Sequence, residues 1–516
     1  MRIGLVELPS VGLIDREGKR WSIICNGRAL VSKQIFMANL QAGGFEPELV
    51  DLRAGTDVEV YGEVEWRGTT LAKTLIGKKF SEIDPTAYDA WGVTCNFTID
   101  REVACMVIKH LAKGGKPIVA GGSDVLGEPA PYFQAGATAV VTDKSGAANW
   151  AIFDYVLGRP PREKLTGVIL ADGTRYALSK HPLHPEDWAV PSVELAKQCL
   201  GTEQLLSSIP GEWTPVGSFL PDIGCDRKCD FCQTPTYGIG YLKMSPKRVL
   251  QWLTAQKEAG ARSVNWYSDQ FLGRTIFPGG REEILQIMKE ARELEMSMLW
   301  SNGLELKKAT LGRGRNYSHT DLTPDEELIE AVWGWDGKVG CLHAYIPGER
   351  PVFGREAYAK LLPWQEHRAV MRAIVRSGVA TICYGVIVGL PEDSHDSLSR
   401  LHEALEELYQ ELSAINSSLK FQVMPNSICP LPGTPQLQNI RQSGLLRFED
   451  PTLMGSFFTA CADTHYLNYE EVSDWQITLS KIGTPGYKSN FSTSITGLRN
   501  LQLDSPKYAN NVKTAV

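Results

Sequence analysis

The sequence predicts an α/β protein of two units: a Rossmann-like, flavodoxin-like sheet over residues 1–160 and a partial or full (β/α) barrel over residues 214–440. Three observations carry this. Strand-like and helix-like segments alternate through both stretches, the order that gives parallel sheets with helical crossovers. A stretch rich in Pro, Gly and His, residues 161–213, separates them, and reads as a linker or as a strand-containing connector. The second unit opens on three closely spaced cysteines, Cys225, Cys229 and Cys232. Residues 441–516 form a less patterned C-terminal region, with a polar tail after Ser505 that reads as frayed.

In the first unit, Arg2–Leu8 is a short β-rich run and Ser32–Ala42 is helical, stopped by Gly43-Gly44. Pro47–Leu52 is strand-like, and Tyr88–Cys95 gives a third strand ending in polar Thr94 and Asn96. Asp100 caps a helix that runs to Lys113, and Gly114-Gly115 ends it. Pro117–Ala120 leads into Gly121-Gly122-Ser123, Ala137–Thr142 is a fifth strand, and Gly146–Leu157 is a helix. Ligands of such sheets bind at the carboxyl ends of the strands, where the loops Thr94–Thr98 and Gly121–Asp124 sit.

In the second unit, Ser245-Pro246 opens a helix with a capping hydroxyl and a first-turn proline, and Gly260 closes it. Strands follow at Ser263–Tyr267, Ser297–Trp300, Val339–Tyr345, Ala380–Val388 and Leu419–Val423. Helices at Arg281–Leu294, Pro324–Val332, Trp364–Ser377 and Ser397–Leu412 alternate with them. Active sites of parallel barrels lie at the carboxyl ends of the strands.

The chain has 516 residues, 43% hydrophobic and 22% charged, with a formal net charge of −7, which is ordinary for a globular protein. It has no long basic block, so nucleic acid is not evident as a partner. No apolar run reaches the roughly 18–20 residues that cross a bilayer. The N-terminal run is broken by Glu7 and Pro9 and reads as a first strand, not a signal peptide. The eleven cysteines are odd in number and mostly scattered, so they make no disulfide framework and point to a reducing cytoplasm.

Cys225-x3-Cys229-x2-Cys232 is expected by chance about 0.005 times in a chain of this composition. Three thiolates on one loop hold three irons of a cubane cluster and leave the fourth open. A structural zinc site or plain structural cysteines are the alternatives, but zinc closes with four ligands, and the next histidine downstream is distant His319. Cys25, Cys95, Cys105, Cys199, Cys341, Cys383, Cys429 and Cys461 lie mostly in apolar runs and read as small hydrophobes. Cys341 and Cys429 stand closest to expected strand-end loops.

The triplet, with Phe231 before its last cysteine, resembles the signature of the radical S-adenosylmethionine superfamily. The stretch Gly385-Val-Ile387-Val-Gly389-Leu-Pro-Glu392 is similar to that family's G-x-I-x-G-x-x-E pattern near the adenine. The resemblance implies a [4Fe–4S] cluster on the three cysteines, with S-adenosyl-L-methionine chelating the open iron and yielding a 5′-deoxyadenosyl radical. Phe231, Gly385, Ile387 and Glu392 are then cofactor-binding. The loop Tyr267–Gln270 stands in the place of the methionine-binding loop without its Gly-Gly-Glu form, so Ser268 or Asp269 receives the ammonium. Ser301 and Asn302 contact the ribose or the carboxylate. An electron donor such as ferredoxin or flavodoxin is implied as a partner.

Residues 1–160 resemble the cobalamin-binding domain that precedes the radical domain in one large subclass. The likeness lies in Tyr88–Thr94, Pro117–Ser123 and Ala135–Val141, and continues at Leu431-Pro-Gly-Thr-Pro435. It implies cobalamin contacts at Thr94, Asn96, Gly121, Gly122, Ser123 and Thr142, with the glycines letting the macrocycle approach the backbone. The Asp-x-His-x-x-Gly motif that ligates cobalt is absent. The implied function is methylation of an unactivated carbon of a small molecule or peptide. Alternatives are tetrapyrrole-type ring formation with the same cofactors, or a non-catalytic cobalamin or redox sensor. The sequence names no catalytic side chain. Tyr345, Trp266, Trp300 and Trp364 line a pocket or, the plainer reading, belong to the barrel core.

Overall fold

Alternating apolar runs fold the first 176 residues into ten strands, β1 (Arg2–Glu7), β2 (Ser10–Asp15), β3 (Glu46–Asp51), β4 (Asp57–Trp66), β5 (Thr69–Gly77), β6 (Ala90–Thr94), β7 (Ile118–Gly121), β8 (Ala139–Val141), β9 (Val168–Leu170) and β10 (Arg175–Tyr176). A computed structural model describes residues 1–487 apart from 17, 19, 23–26, 56, 203–210 and 351–358. Cys25 and the tail after Ser505 lie outside the described residues. The first sheet has the order β10-β9-β8-β7-β6-β1-β3. Five adjacent strands, β8-β7-β6-β1-β3, are parallel, and β9 and β10 add antiparallel at the edge opposite β3. The sheet thus runs into the stretch read as a linker.

With the first strand between the second and third parallel ones, this is the flavodoxin order, whose switch point lies between β1 and β6. Ile3 and Leu5 face one cluster with Met37, Leu40, Ile152 and Phe153. Val6, Trp91 and Val93 face the opposite one with Val103, Val107 and Leu111. Residue-by-residue alternation along β1 therefore loads both faces with helices, as a doubly wound sheet requires. Asp100 precedes the helix Arg101–Leu111 but makes no side-chain cap to it; a short 3-10 turn, Thr98–Asp100, leads in instead.

A second, three-stranded antiparallel sheet, β2-β5-β4, was not part of the sequence expectation. Its hairpin turns on Arg67 and Gly68, both with positive φ (51° and 66°), the geometry of a two-residue primed turn. This sheet joins the N-terminal half to the C-terminal region. Trp66, 2% exposed, donates from Nε1 to the Ala460 carbonyl at 3.0 Å and packs with Leu13, Leu437, Leu453 and Met454. Lys73 pairs with Glu102 at 2.8 Å and with Asp450 at 2.5 Å.

The second unit holds β11 (Val216–Phe219), β12 (Asp222–Gly224), β13 (Tyr241–Lys243), β14 (Ser263–Trp266), β15 (Ser297–Trp300), β16 (Cys341–Glu349), β17 (Thr381–Val388) and β18 (Lys420–Ser427). Six of these form a parallel sheet in the order β11-β14-β15-β16-β17-β18, each strand added beside its predecessor. The helices Pro246–Glu258, Gly280–Glu293, Glu326–Trp333, Trp364–Arg376 and His395–Ile415 make the connections. Ser245 caps the first of them as expected, accepting from the Arg248 amide at 3.2 Å.

Side-chain alternation separates the two faces of this sheet. Ile382, Tyr384, Val386 and Val388 of β17 join the helix-facing core, as do Trp266 and Trp300. Cys383, Gly385 and Ile387 point to the other face. Trp266 and Trp300 are therefore core, with Trp300 Nε1 donating to the Val332 carbonyl at 3.0 Å, and Trp364 packs half-buried against the same core. Tyr345 is the exception among the four aromatics: its hydroxyl accepts from Asn426 Nδ2 at 3.1 Å, away from that core. No helix among the described residues is long and apolar enough to cross a membrane.

Truncating Trp66 removes a buried indole and orphans the Ala460 carbonyl. Trp66→Ala should lower the unfolding free energy by about 3–5 kcal/mol, measured by denaturant titration. Glu63→Ala, exposed on the same strand, should change it by no more than about 0.5 kcal/mol.

Candidate functional site

The cysteine triplet lies on the loop between β12 and β13, an antiparallel hairpin set ahead of β14. Gly224 and Gly240 pinch its base: a Cβ on Gly224, whose φ is +84°, would sit 1.7 Å from the Gly240 carbonyl oxygen. Cys225, Cys229 and Cys232 are all half-buried. The Arg227 amide turns toward Cys225 Sγ at 3.4 Å, and the Cys232 amide donates to the Cys229 carbonyl at 3.2 Å. Two buried residues that follow β15 clamp the loop. Glu305 takes Arg227 Nε at 2.9 Å and Lys308 Nζ at 2.9 Å, and Lys308 also pairs with Asp226.

Burial pushes the Cys229 thiol up to about 11 and raises Cys225 as well. These two bare thiols are protonated at neutral pH, so metal ligation there has to expel protons. Lys360 counters the charge this creates. Its ammonium lies 5.3 Å over the Phe231 ring, pairs with Glu349, and lowers the pKa of Cys229. Among the described residues, no group of three or more His, Cys, Asp or Glu side chains is gathered tightly enough to hold a single metal ion. Three thiols on one clamped loop, with a backbone N–H and a cation turned toward them, fit a cluster held at three corners.

The loop after β14 packs against the base of this hairpin. Asp222, fully buried, accepts from Ser268 Oγ at 2.6 and 2.7 Å and from the Gln270 amide at 3.1 Å. Ser268 is thus engaged in holding the hairpin. Asp269 is half-buried, accepts from the Gly224 amide at 2.7 Å, and is pushed up to about 7, first by burial. Asn302 Nδ2 donates to the Ser268 carbonyl at 3.0 Å, and Ser301 beside it is half-buried. Asp269, Asn302 and the cluster loop therefore share one end of the parallel sheet.

Gly385 has a different constraint from the one expected: a Cβ there would meet the Tyr345 hydroxyl at 2.0 Å. Ile387 is half-buried on the same face, while Glu392 is exposed beyond the strand end. The other cysteines among the described residues behave as small hydrophobes. Cys341 is fully buried at the amino end of β16, away from the strand-end loops, and Cys429 points its Sγ at the Ser456 carbonyl, 3.5 Å away.

The strand ends of the N-terminal sheet face the cluster loop directly. Ser123, buried, has its Oγ 3.0 Å from Lys144 Nζ and 3.0 Å from the Tyr237 hydroxyl of the cluster hairpin. Gln233 Nε2, one residue past Cys232, donates to the Ser123 carbonyl at 3.4 Å and to the Pro432 carbonyl at 2.9 Å. Asn96 Oδ1 accepts from the Ser123 amide at 3.3 Å, and half-buried Thr94 and Thr142 end β6 and follow β8.

The two glycines of the loop divide their roles. Gly122 has φ +119° and a Cβ there would lie 2.1 Å from the Cys95 carbonyl oxygen, so it closes the loop onto β6. At Gly121 the only neighbour among the described residues within 4 Å of an added Cβ is Val141, at 3.9 Å, so this glycine is the one that leaves room. Sequence reasoning passed over Asp222, Tyr237, Glu305, Lys308, Lys360 and Lys144. Only Lys144, two residues past a predicted strand end, carried a positional signal.

No family model matches this sequence, and no curated protein matches it. Among solved structures it is similar to the cobalamin-dependent S-adenosylmethionine radical enzyme OxsB with aqua-cobalamin and S-adenosylmethionine bound. The TM-score is 0.62 at 15% identity, over 92% of this chain and 65% of that one. OxsB with aqua-cobalamin alone gives 0.60 at 14% identity, over 92% and 66%. The chain has the fold of that enzyme and spans about two thirds of its length.

Gly122→Ala forces a side chain into a backbone region open almost only to glycine, a cost of about 1–3 kcal/mol before the clash with Cys95 is counted. Thermal melts should show a clear loss for Gly122→Ala and little change for Gly121→Ala.

Proposed function

We propose that this chain is a cobalamin-dependent radical S-adenosylmethionine enzyme that methylates an unactivated carbon of a small molecule or peptide. One observation carries the reading. The loop bearing Cys225, Cys229 and Cys232 meets the strand ends of a flavodoxin-order sheet through Tyr237 and Gln233, so a cluster on the one and a corrinoid on the other would face each other. The likeness in fold to OxsB, over 92% of the chain, supports it.

The three cysteines would hold a [4Fe–4S] cluster, leaving its fourth iron for the amino and carboxylate groups of S-adenosylmethionine. Asp269 would accept a hydrogen bond from that amino group, since Ser268 is committed to Asp222. Asn302 and Ser301 would contact the ribose or carboxylate, and Gly385 and Ile387 would pack near the adenine. Thr94, Asn96, Gly121, Ser123 and Thr142 would line the corrinoid crevice. When bound, the cluster and S-adenosylmethionine supply hydrogen abstraction from the substrate and the corrinoid supplies the methyl group. The protein's share is to clamp the loop through Glu305 and Lys308, keep the Cys229 thiol protonated until metal arrives, and hold the two cofactor sites at fixed separation. A ferredoxin- or flavodoxin-type donor would deliver the electrons.

The test is anaerobic reconstitution with iron, sulfide and hydroxocobalamin, followed by desalting. The parent should retain brown absorbance and a corrinoid spectrum and cleave S-adenosylmethionine. The variant with Cys225, Cys229 and Cys232 all changed to Ala should lose its iron and the cleavage but keep the corrinoid. A product heavier by one CH2 identifies methyl transfer; a product of another mass points to the cyclase alternative. A parent that retains no corrinoid yet turns over its substrate would falsify the cobalamin assignment.

A further inference from the structure

Glu392 ends the stretch Gly385–Glu392 on the surface, and the buried acid there is its neighbour Asp393, 1% exposed. Asp393 Oδ2 accepts from the Gly389 amide at 2.9 Å and from the Leu390 amide at 3.1 Å, and the Asp393 amide donates back to the Leu390 carbonyl at 2.9 Å. One carboxylate therefore closes the turn that follows β17. Arg350, the residue after β16 and likewise 1% exposed, pairs with both carboxylate oxygens. Among the described residues its Nε and Nη1 have no partner, so the guanidinium depends on Asp393. A second hold comes from outside the parallel sheet. Thr464 Oγ1 donates to the Asp393 carbonyl at 2.8 Å, and the His465 amide donates to the Pro391 carbonyl at 2.8 Å. Gly389, with φ +88°, turns beside Val472, which would lie 3.0 Å from an added Cβ.

The turn governs a side chain on the face of the sheet turned away from the helices. Leu390, fixed by its amide, packs with Ile428, Ile440, Leu445 and Ala462, and half-buried Ile387 rests on this cluster. Ile387 is thus backed by Leu390, and Leu390 is placed by Asp393. We propose that Asp393 and Arg350, locked by Thr464, are positioning residues for the adenine of S-adenosylmethionine: without touching it, they hold the turn that sets Ile387 against it. Resting on the proposed function, this gives residues 441–487 a part in the co-substrate site. The cause is electrostatic. Removing the carboxylate frees two amides and strands a buried guanidinium, and one partner of a buried pair left alone is far more costly than no pair at all. The turn then relaxes, and the adenine loses a preorganised wall.

The experiment measures equilibrium binding of S-adenosylmethionine and of L-methionine to the cluster-loaded, full-length protein, with the cluster's EPR signal as the second readout. L-Methionine has the same amino and carboxylate groups and no adenine. The parent should prefer S-adenosylmethionine; equal affinity for the two overturns the inference. In Asp393→Asn that preference should fall by about tenfold, while L-methionine binds within about twofold of the parent. The double variant Asp393→Asn with Arg350→Met keeps a carbonyl acceptor for the two amides and removes the stranded charge, so it should recover most of the preference. If Asp393→Asn does not hold iron, Thr464→Val replaces it: it leaves the buried charges paired and should lower the preference about threefold. Equal weakening of both ligands in the variant used, or the parent's preference retained there, overturns the inference and leaves the function intact. A cluster-loaded parent that binds neither ligand overturns the function itself.

Discussion

A single buried carboxylate organises the cysteine-bearing end of this protein. Asp222 is fully enclosed and survives as an acceptor only because Ser268 and the Gln270 amide donate to it and Arg274 lies nearby. Arg274, itself without exposed surface, ties down the carbonyls of Met244 at 2.7 Å and Pro221 at 3.2 Å, one on each side of the hairpin. Burying such a charge is costly unless every partner is in place, so the arrangement is all-or-none. The cysteine hairpin and the loop after β14 are consequently one rigid body, and Asp269 is delivered beside the cluster loop by its own backbone.

The same logic governs the junction between the halves. The strand ends that would cradle a corrinoid are polar, and Ser123 there meets Gln233 of the cysteine hairpin with further polar groups to satisfy. The two find partners in each other, in Tyr237 and in Pro432. Around that polar centre the contact is close-packed. An added Cβ on Gly127 would lie 2.5 Å from the Pro432 carbonyl oxygen, and the sheet β2-β5-β4 seals the far side through Trp66 and Lys73. Polar groups specify the register of the two units, and apolar burial supplies most of the adhesion.

Sheet periodicity explains why some site assignments needed three dimensions. Trp266 and Trp300 stand near strand ends, where a ligand-stacking role was open, but their parity puts them on the helix side of the sheet. Tyr345 has the opposite parity and reaches across β17 to Asn426, over the space that Gly385 leaves. A glycine that reads as accommodating a ligand can thus be accommodating a neighbouring phenol. Gly122 is a second instance, with the Cys95 carbonyl as its neighbour.

The sequence by itself determined the α/β class, the parallel core of both large sheets, the cysteine loop and the helix start at Ser245. These are legible because they rest on local quantities: alternation, capping hydroxyls and short spacings between like residues. Tertiary structure alone decided that β2, β4 and β5 form a sheet between the two halves, although the primed turn at Arg67-Gly68 was there to be read. It also decided that Ser268 serves Asp222 instead of remaining open, that Glu392 is exposed, and that Glu305, Lys308, Lys360 and Lys144 converge on the site. Each of these depends on pairing between residues distant in the chain, and a charge or hydroxyl carries no mark in the sequence of which distant partner will desolvate it.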